Sequence, residues 1–305
     1  MTSLKMTRRS FSFALAGVTA GAAFPSTSFA AEVATITVGD KTISMLSDGH
    51  FDIPPAFFTD ADDAALAAAG NPIEIGATVW LIQTVDRRIL VDTGSGQALA
   101  GMFPTVGKLD ALLTAEGIEK ADITDIVLTH MHADHIGGLL GEDAGGFSNA
   151  AVHVSQAEWG FWTNPSLLDA TPESDKPMIG LLQSIAGPIA NRVTTYVDEA
   201  DLGDGITLVP MNGHTPGHSG VRVTAKNSNN FLIVRDAIIS ESLQFENPKV
   251  RYALDLDPEQ AIATRTSLLN TLAESGDVFS ATHLTYPATG RVVRAGNVFR
   301  FEPLT

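Results

Sequence analysis

The run Asp125-Ile126-Val127-Leu128-Thr129 ends directly on His130-Met131-His132-Ala133-Asp134-His135. A short apolar, β-branched run of this kind reads as a buried strand. Alternate side chains of an extended chain point the same way, so His130 and His132 can grip one cation from the strand exit. Asp134 and His135 follow where a turn can redirect them to a second cation. A solvated polar loop is the plainer alternative, but it leaves four ligand-type residues within six positions unexplained in a chain with eight histidines. A fold that satisfies this segment must bury the strand and open its end onto a shared rim.

Three more apolar runs end in the same way. His214 follows Leu208-Val209-Pro210-Met211, Asp236 follows Phe231-Leu232-Ile233-Val234, and His283 follows Val278-Phe279-Ser280-Ala281-Thr282. Each alone reads as an ordinary polar loop residue. Five His and two Asp at strand exits together favour a site for two divalent cations, with Zn foremost and Mn, Fe or Co also served by His and Asp donors.

Further strands are predicted at 33–38, 42–46, 78–84, 89–92, 151–154, 193–197, 206–211, 220–224 and 231–234, with a hairpin over 291–301 turned at Gly296-Asn297. Helices are predicted over 60–69, 106–116 and 179–191. Another helix has Asp257 as its cap, Pro258 at its first position and Gly276 as its stop. The stretch 155–191 reads as an insertion or lid. Strand-rich halves punctuated by helices predict an α/β (α+β) chain with two sheets face to face and helices outside.

Composition narrows the function. The chain of 305 residues has no Cys, which excludes disulfides and thiolate ligands or nucleophiles. Nineteen Lys and Arg against 35 Asp and Glu give a net charge of −16, which repels nucleic acid and anionic membrane surfaces.

Residues 1–30 carry Lys5, Arg8 and Arg9 and no acid. An apolar run over 11–24 follows, then Ser28-Phe29-Ala30. This is the order of a cleaved export signal, and the Arg pair resembles a twin-arginine signal. The apolar run is 14 residues long, short of the roughly 20 that span a bilayer, so no stable membrane insertion is expected. Cleavage leaves a domain of 31–305 with a charge of −19, in the periplasm or secreted.

The segment His130 to His135, with Leu90-Val91-Asp92-Thr93-Gly94 and Gly213-His214-Thr215-Pro216-Gly217-His218, resembles the metallo-β-lactamase superfamily. The resemblance implies an αββα sandwich of two mixed sheets with helices outside. It implies one metal on His130, His132 and His214 and another on Asp134, His135 and His283, with Asp236 bridging. It further implies a metal-bridging hydroxide as nucleophile, with Asp236 and Asp134 as the candidate catalytic carboxylates. Asp92 and His218 are expected to orient ligands, and His50 and His153 to be ordinary polar residues.

Within the superfamily, the absence of Cys excludes the β-lactamases that use a Cys ligand, and the bridging Asp disfavours the others. Export and acidity disfavour the glyoxalase II and nuclease branches. Ala281-Thr282-His283-Leu284-Thr285-Tyr286-Pro287 and the insertion before His214 look like the methyl parathion hydrolase branch, whose near neighbours are the acyl-homoserine lactonases. The implied function is hydrolysis of a small neutral lactone or ester, with phosphotriesters as a further class and a homodimer compatible with the resemblance. A dedicated acyl-homoserine lactonase, a β-lactamase and a non-catalytic metal-binding protein are the alternatives. Arg235 stands where this family more often has Gly, and it is expected to crowd or bias the bridging carboxylate.

Overall fold

The computed structural model describes residues 33–226 and 230–304, so the leader read at 1–30 lies outside the described residues. In chain order the strands are β1 (Val33–Val38), β2 (Lys41–Ile53), β3 (Phe58–Thr59), β4 (Ile73–Gln83), β5 (Arg88–Val91), β6 (Asp125–Leu128), β7 (Ala151–Ser155) and β8 (Val193–Tyr196). The later strands are β9 (Ala200–Asp201), β10 (Ile206–Pro210), β11 (Ser219–Val223), β12 (Phe231–Ile233), β13 (Arg251–Tyr252), β14 (Val278–Ser280), β15 (Thr289–Ala295) and β16 (Val298–Pro303). One seven-stranded sheet has the order β1-β2-β4-β5-β6-β7-β8 and a second the order β16-β15-β14-β12-β11-β10-β9, while β3 and β13 form a small ribbon. Both sheets are mixed: β5 to β8 run parallel in the first, and β12 and β14 in the second.

The period-2 alternation of the central strands decides what each face meets. Val127, Val91 and Trp80 point inward and pack against Leu208, Val221 and Ile233 of the second sheet. Ile126, Leu128 and Leu90 point the other way, onto Leu112 and Leu113 of the helix Leu109–Ala115 and Leu182 of the helix Lys176–Ile189. Leu268, Leu269 and Leu272 of the helix Pro258–Ser275 cover the outer face of the second sheet at Phe279 and Val292. The result is the αββα sandwich that the resemblance implies.

The long helix starts and stops where expected, with the Asp257 side chain accepting from the Gln260 N–H at 3.0 Å and Gly276 left-handed at φ 68°. Elsewhere the boundaries shift. The predicted helices at 60–69 and 106–116 narrow to Asp63–Ala69 and Leu109–Ala115. The stretch 155–191 holds three helices, Gln156–Trp162, Pro165–Ala170 and Lys176–Ile189, in which Pro165 and Pro177 occupy first-turn positions that need no N–H partner.

Strands β2 and β4 extend well beyond the predicted 42–46 and 78–84, pairing as far as Ile53 and Ile73 across an irregularity between Ser47 and Gly49. Ser47-Asp48-Gly49 has the composition of a turn. Its carboxylate is instead buried and accepts from the N–H groups of Ser95, Leu109 and Gly107 at 2.9, 2.9 and 3.2 Å, so the chain bulges and continues. Phe51 therefore lies buried in β2.

The far end of β4 also touches the second sheet. The N–H groups of Gly76 and Thr78 donate to the carbonyls of His283 and Thr282, both at 3.1 Å. A Cβ on Gly76 would lie 2.4 Å from the Leu284 carbonyl oxygen, so only glycine allows this approach.

Candidate metal centre

Four strand exits and the turns after them supply the candidate donors. β6 delivers His130. His132 caps the one-turn helix Ala133–Ile136, which carries Asp134 and His135. His214 leaves the loop after β10, Asp236 sits in the short turn Arg235–Ala237 after β12, and His283 follows β14. The structure brings all seven together: His130, His132 and His214 form one group with ligand atoms within 4.8 Å of one another, and Asp134, His135, Asp236 and His283 form a second.

Asp236 joins the two groups. Its Oδ2 lies 3.4 Å from His214 Nε2, 3.8 Å from His130 Nε2 and 3.1 Å from His283 Nε2, and its Oδ1 lies 3.4 Å from His135 Nε2. Asp134 Oδ2 is 3.2 Å from His135 Nε2 and 3.7 Å from His283 Nε2. His132 Nδ1 and His214 Nε2 face each other at 3.0 Å.

The ring nitrogens pointing away from the centre are held by protein acceptors. His214 Nδ1 pairs with Asp255 Oδ1 at 2.9 Å, His283 Nδ1 with the Gly76 carbonyl at 2.7 Å, and His135 Nδ1 with Asp92 Oδ2 at 2.7 Å. Each such pair keeps a proton on Nδ1 and turns Nε2 toward the centre as the atom that would meet a cation. His218 supports the backbone instead, since its Nδ1 donates to the Met211 carbonyl and its Nε2 accepts the Asp236 N–H at 3.2 Å. His130 Nε2, His135 Nε2 and Asp236 Oδ1 are buried without a hydrogen-bond partner, which is costly unless a ligand completes them. Borderline nitrogen and hard oxygen donors in this ratio fit two divalent cations.

Electrostatics divide the cluster. Burial lowers His132 to about 3 and His218 to about 4, in both cases helped by nearby His214. Burial, with His135 alongside, also holds His130 well below its ordinary value. Burial opposes charge on His135 and His283 as well, but Asp134 and Asp236 outweigh it at the first and Asp236 at the second, so both are raised. Burial would raise Asp134 and Asp236, and the facing His135 and His283 overcome it, so both stay ionised.

Arg235 does not crowd Asp236, contrary to the expectation. At φ 51° its side chain turns into the sandwich and pairs with Asp92 under the Trp80 ring. His153 lies away from the centre and bonds Tyr196 and Asp125, and His50 groups with Asp52 and Glu74. Several supports were missed in the sequence. Glu158, fully buried, accepts from Met131 N–H at 2.9 Å, Trp162 Nε1 at 2.6 Å, Thr215 Oγ1 at 2.6 Å and Gly217 N–H at 3.0 Å, tying both histidine loops to one helix. Asp255 holds His214, with Arg265 3.5 Å away on its other oxygen, and Tyr252 stacks on the His214 ring.

Aromatic side chains wall the centre. Trp162 stands edge-on to His132 at 5.4 Å between ring centroids, and Phe51 edge-on to His283 at 6.2 Å. Phe57, Trp159 and Phe161 are half-buried and Phe58 is buried beneath Tyr252.

Two facing mixed sheets carry this His and Asp cluster on their common rim. The chain belongs to the metallo-beta-lactamase superfamily, whose sequence profile matches residues 73–283. A probable metallo-hydrolase of Mycobacterium bovis is 32% identical over 180 residues, which cover 48% of this chain and 52% of that protein. The chain thus spans about half the length of this curated relative. An N-acyl homoserine lactonase of a Bacillus species is 26% identical over 211 residues, 64% of this chain and 76% of that one. The solved structure of AidC, a dizinc quorum-quenching lactonase in complex with its product N-hexanoyl-L-homoserine, is 27% identical with a TM-score of 0.81, covering 90% of this chain and 98% of that one. That of AbOPH, a hydrolase in the beta lactamase superfamily, is 26% identical with the same TM-score and the same coverage.

Proposed function

We propose that this chain hydrolyses a small neutral lactone or ester at a dinuclear centre, with lactones as the favoured class. The observation that carries the reading is Asp236, held between two donor groups with histidine Nε2 atoms facing it from both sides. Two divalent cations supply Lewis acidity toward a carbonyl oxygen and make water acidic enough to attack near neutral pH.

The protein's part is orientation, exclusion of water and proton handling. Asp255, Asp92 and the Gly76 carbonyl hold three imidazoles in one tautomer. Asp236 and the partly exposed Asp134 are the carboxylates placed to take a proton and pass it to the leaving oxygen. Trp162 beside His132 and Phe51 beside His283 set apolar rings against the centre, which suits an uncharged acyl or aryl group. Support for lactones comes from AidC and the Bacillus lactonase.

A dedicated N-acyl homoserine lactonase is the narrower reading that these same relatives favour, and phosphotriesters, through the methyl parathion hydrolase likeness, form a secondary class. Export through the Arg8-Arg9 leader is part of the proposal, and N-terminal sequencing of the exported protein is expected to start near Ala31. The deciding experiment loads purified protein with zinc, counts ions by elemental analysis and measures rates on homoserine lactones of several chain lengths, simple lactones, aryl esters, phosphotriesters and a β-lactam. Lactones lead under the proposal. A rate preference for aryl esters overturns the preference for lactones, and a preference for β-lactams, or Asp236→Asn with unchanged lactone turnover, refutes the proposal.

A further inference from the structure

Arg235 directly precedes the carboxylate that joins the two donor groups, with a fully buried side chain and a positive φ of 51° that strains a non-glycine residue. Its guanidinium reaches away from Asp236. Nη1 donates to the Thr78 carbonyl at 2.9 Å, Nη2 donates to Asp92 Oδ2, and the guanidinium carbon lies 4.7 Å from the Trp80 ring centroid. A buried, strained cation is expensive, and glycine would avoid both costs.

The oxygen it binds is already in use. Asp92 Oδ2 accepts from Thr129 Oγ1 at 2.6 Å and from His135 Nδ1 at 2.7 Å, while Oδ1 accepts the Thr129 N–H at 2.7 Å. An oxygen offers two lone pairs, so three donors compete for them, and Arg235 Nη2 comes within 2.7 Å of His135 Nδ1. A carboxylate behind a ligand imidazole makes the imidazole a stronger donor. A guanidinium on the same oxygen withdraws part of that gain, and its charge, one imidazole from the cation position, opposes a second positive charge. The other group lacks this pressure. Arg265 approaches the opposite oxygen of Asp255, at 3.5 Å, and donates to the carbonyls of Ala237, Pro248 and Val250.

We infer that Arg235 makes the two cation positions unequal. The position formed by Asp134, His135, Asp236 and His283 holds its ion less tightly than the one formed by His130, His132 and His214, and its ion is the exchangeable one. The inference rests on the dinuclear reading proposed above and deepens it. Arg235 is a positioning residue that acts through Asp92 and His135.

The test titrates metal-free protein with Co(II), following uptake by calorimetry and elemental analysis, in the unaltered protein, Arg235→Met and Arg235→Lys. Met removes the charge and keeps an apolar stem against Trp80, whereas Lys keeps the charge. The second uptake step is expected to tighten about 10-fold or more in Arg235→Met, the scale of effects behind metal ligands, with the first step unchanged and Arg235→Lys like the unaltered protein. An unchanged second step in Arg235→Met, or an equal shift of both steps in both variants, overturns the inference. If Arg235→Met does not fold, the unaltered doubly loaded protein decides. On chelation, cobalt-shifted ring-proton signals of His135 and His283 are expected to vanish before those of His130 and His214, and the reverse order overturns the inference. Uptake of fewer than two ions by the unaltered protein refutes the dinuclear reading itself.

Discussion

Asp255 shows how a single side chain reaches the centre without touching it. Its Oδ1 fixes His214 and its Oδ2 lies 3.3 Å from the Tyr252 N–H, so the imidazole has one orientation and one tautomer. Asp255→Asn keeps the size and puts a donor or a weaker acceptor there, and cation affinity or turnover is expected to fall about 10- to 100-fold. Calorimetric titration of metal-free variant against unaltered protein checks this. The raised His135 and His283 give a second outcome at this scale. A group raised above its ordinary 6.5 keeps its proton near neutrality, and cation binding must displace it. Uptake is therefore expected to release protons near pH 7 and to tighten as pH rises toward and through the raised values. A pH-stat recording during zinc addition measures the release, and an affinity that is flat between pH 6 and 8 contradicts it.

At the scale of elements, the helix Gln156–Trp162 works as a clip. Glu158 gathers the N–H of Met131, between two histidine donors, with Thr215 and Gly217 beside a third. Glu158→Gln turns an amide group toward two of these donors, and each buried group left unsatisfied costs about 1–3 kcal/mol. Urea unfolding of the metal-free protein is expected to show a loss of that size. Asp257→Ala, at the cap of the long helix, is expected to cost about 0.5–2 kcal/mol in the same assay. These elements also mark what the sequence could reveal. Strand β6 and His130 were legible because apolar run and ligand are adjacent in the chain, and the cap and stop of the long helix are equally local. The roles of Glu158 and Asp255 and the pairing of Arg235 were not, because their partners Thr215, His214 and Asp92 lie 57, 41 and 143 residues away. The far half of β2 was hidden for the same reason, since its turn-like Asp48 is satisfied by N–H groups from 47 to 61 residues later.

Across the whole molecule, one carboxylate outside the centre sets an acid limit. Asp125 is partly buried, which would raise it, but His153, Arg87 and Thr124 hold it well below its ordinary 3.8. A depressed carboxyl contributes stability that is fully present above its unfolded value and lost as pH falls toward the folded one. Asp125→Asn is therefore expected to be less stable than the unaltered protein at pH 7, with the gap closing below about pH 4. Thermal unfolding from pH 7 down to pH 2 tests this, and a gap that does not narrow below pH 4 is the contrary result.

The sheets also divide along the chain. Every strand of the first sheet comes from residues 33–196 and every strand of the second from 200–303, with Val197 exposed at the crossing. His130, His132, Asp134 and His135 belong to the earlier part, and His214, Asp236 and His283 to the later. Neither part holds a complete donor set, so bound ions act as rivets between two successive lengths of chain. A protein nicked at an engineered protease site beside Val197 is expected to stay in one piece while loaded and to come apart more readily once a chelator strips it, turning fragment separation into a direct gauge of metal occupancy.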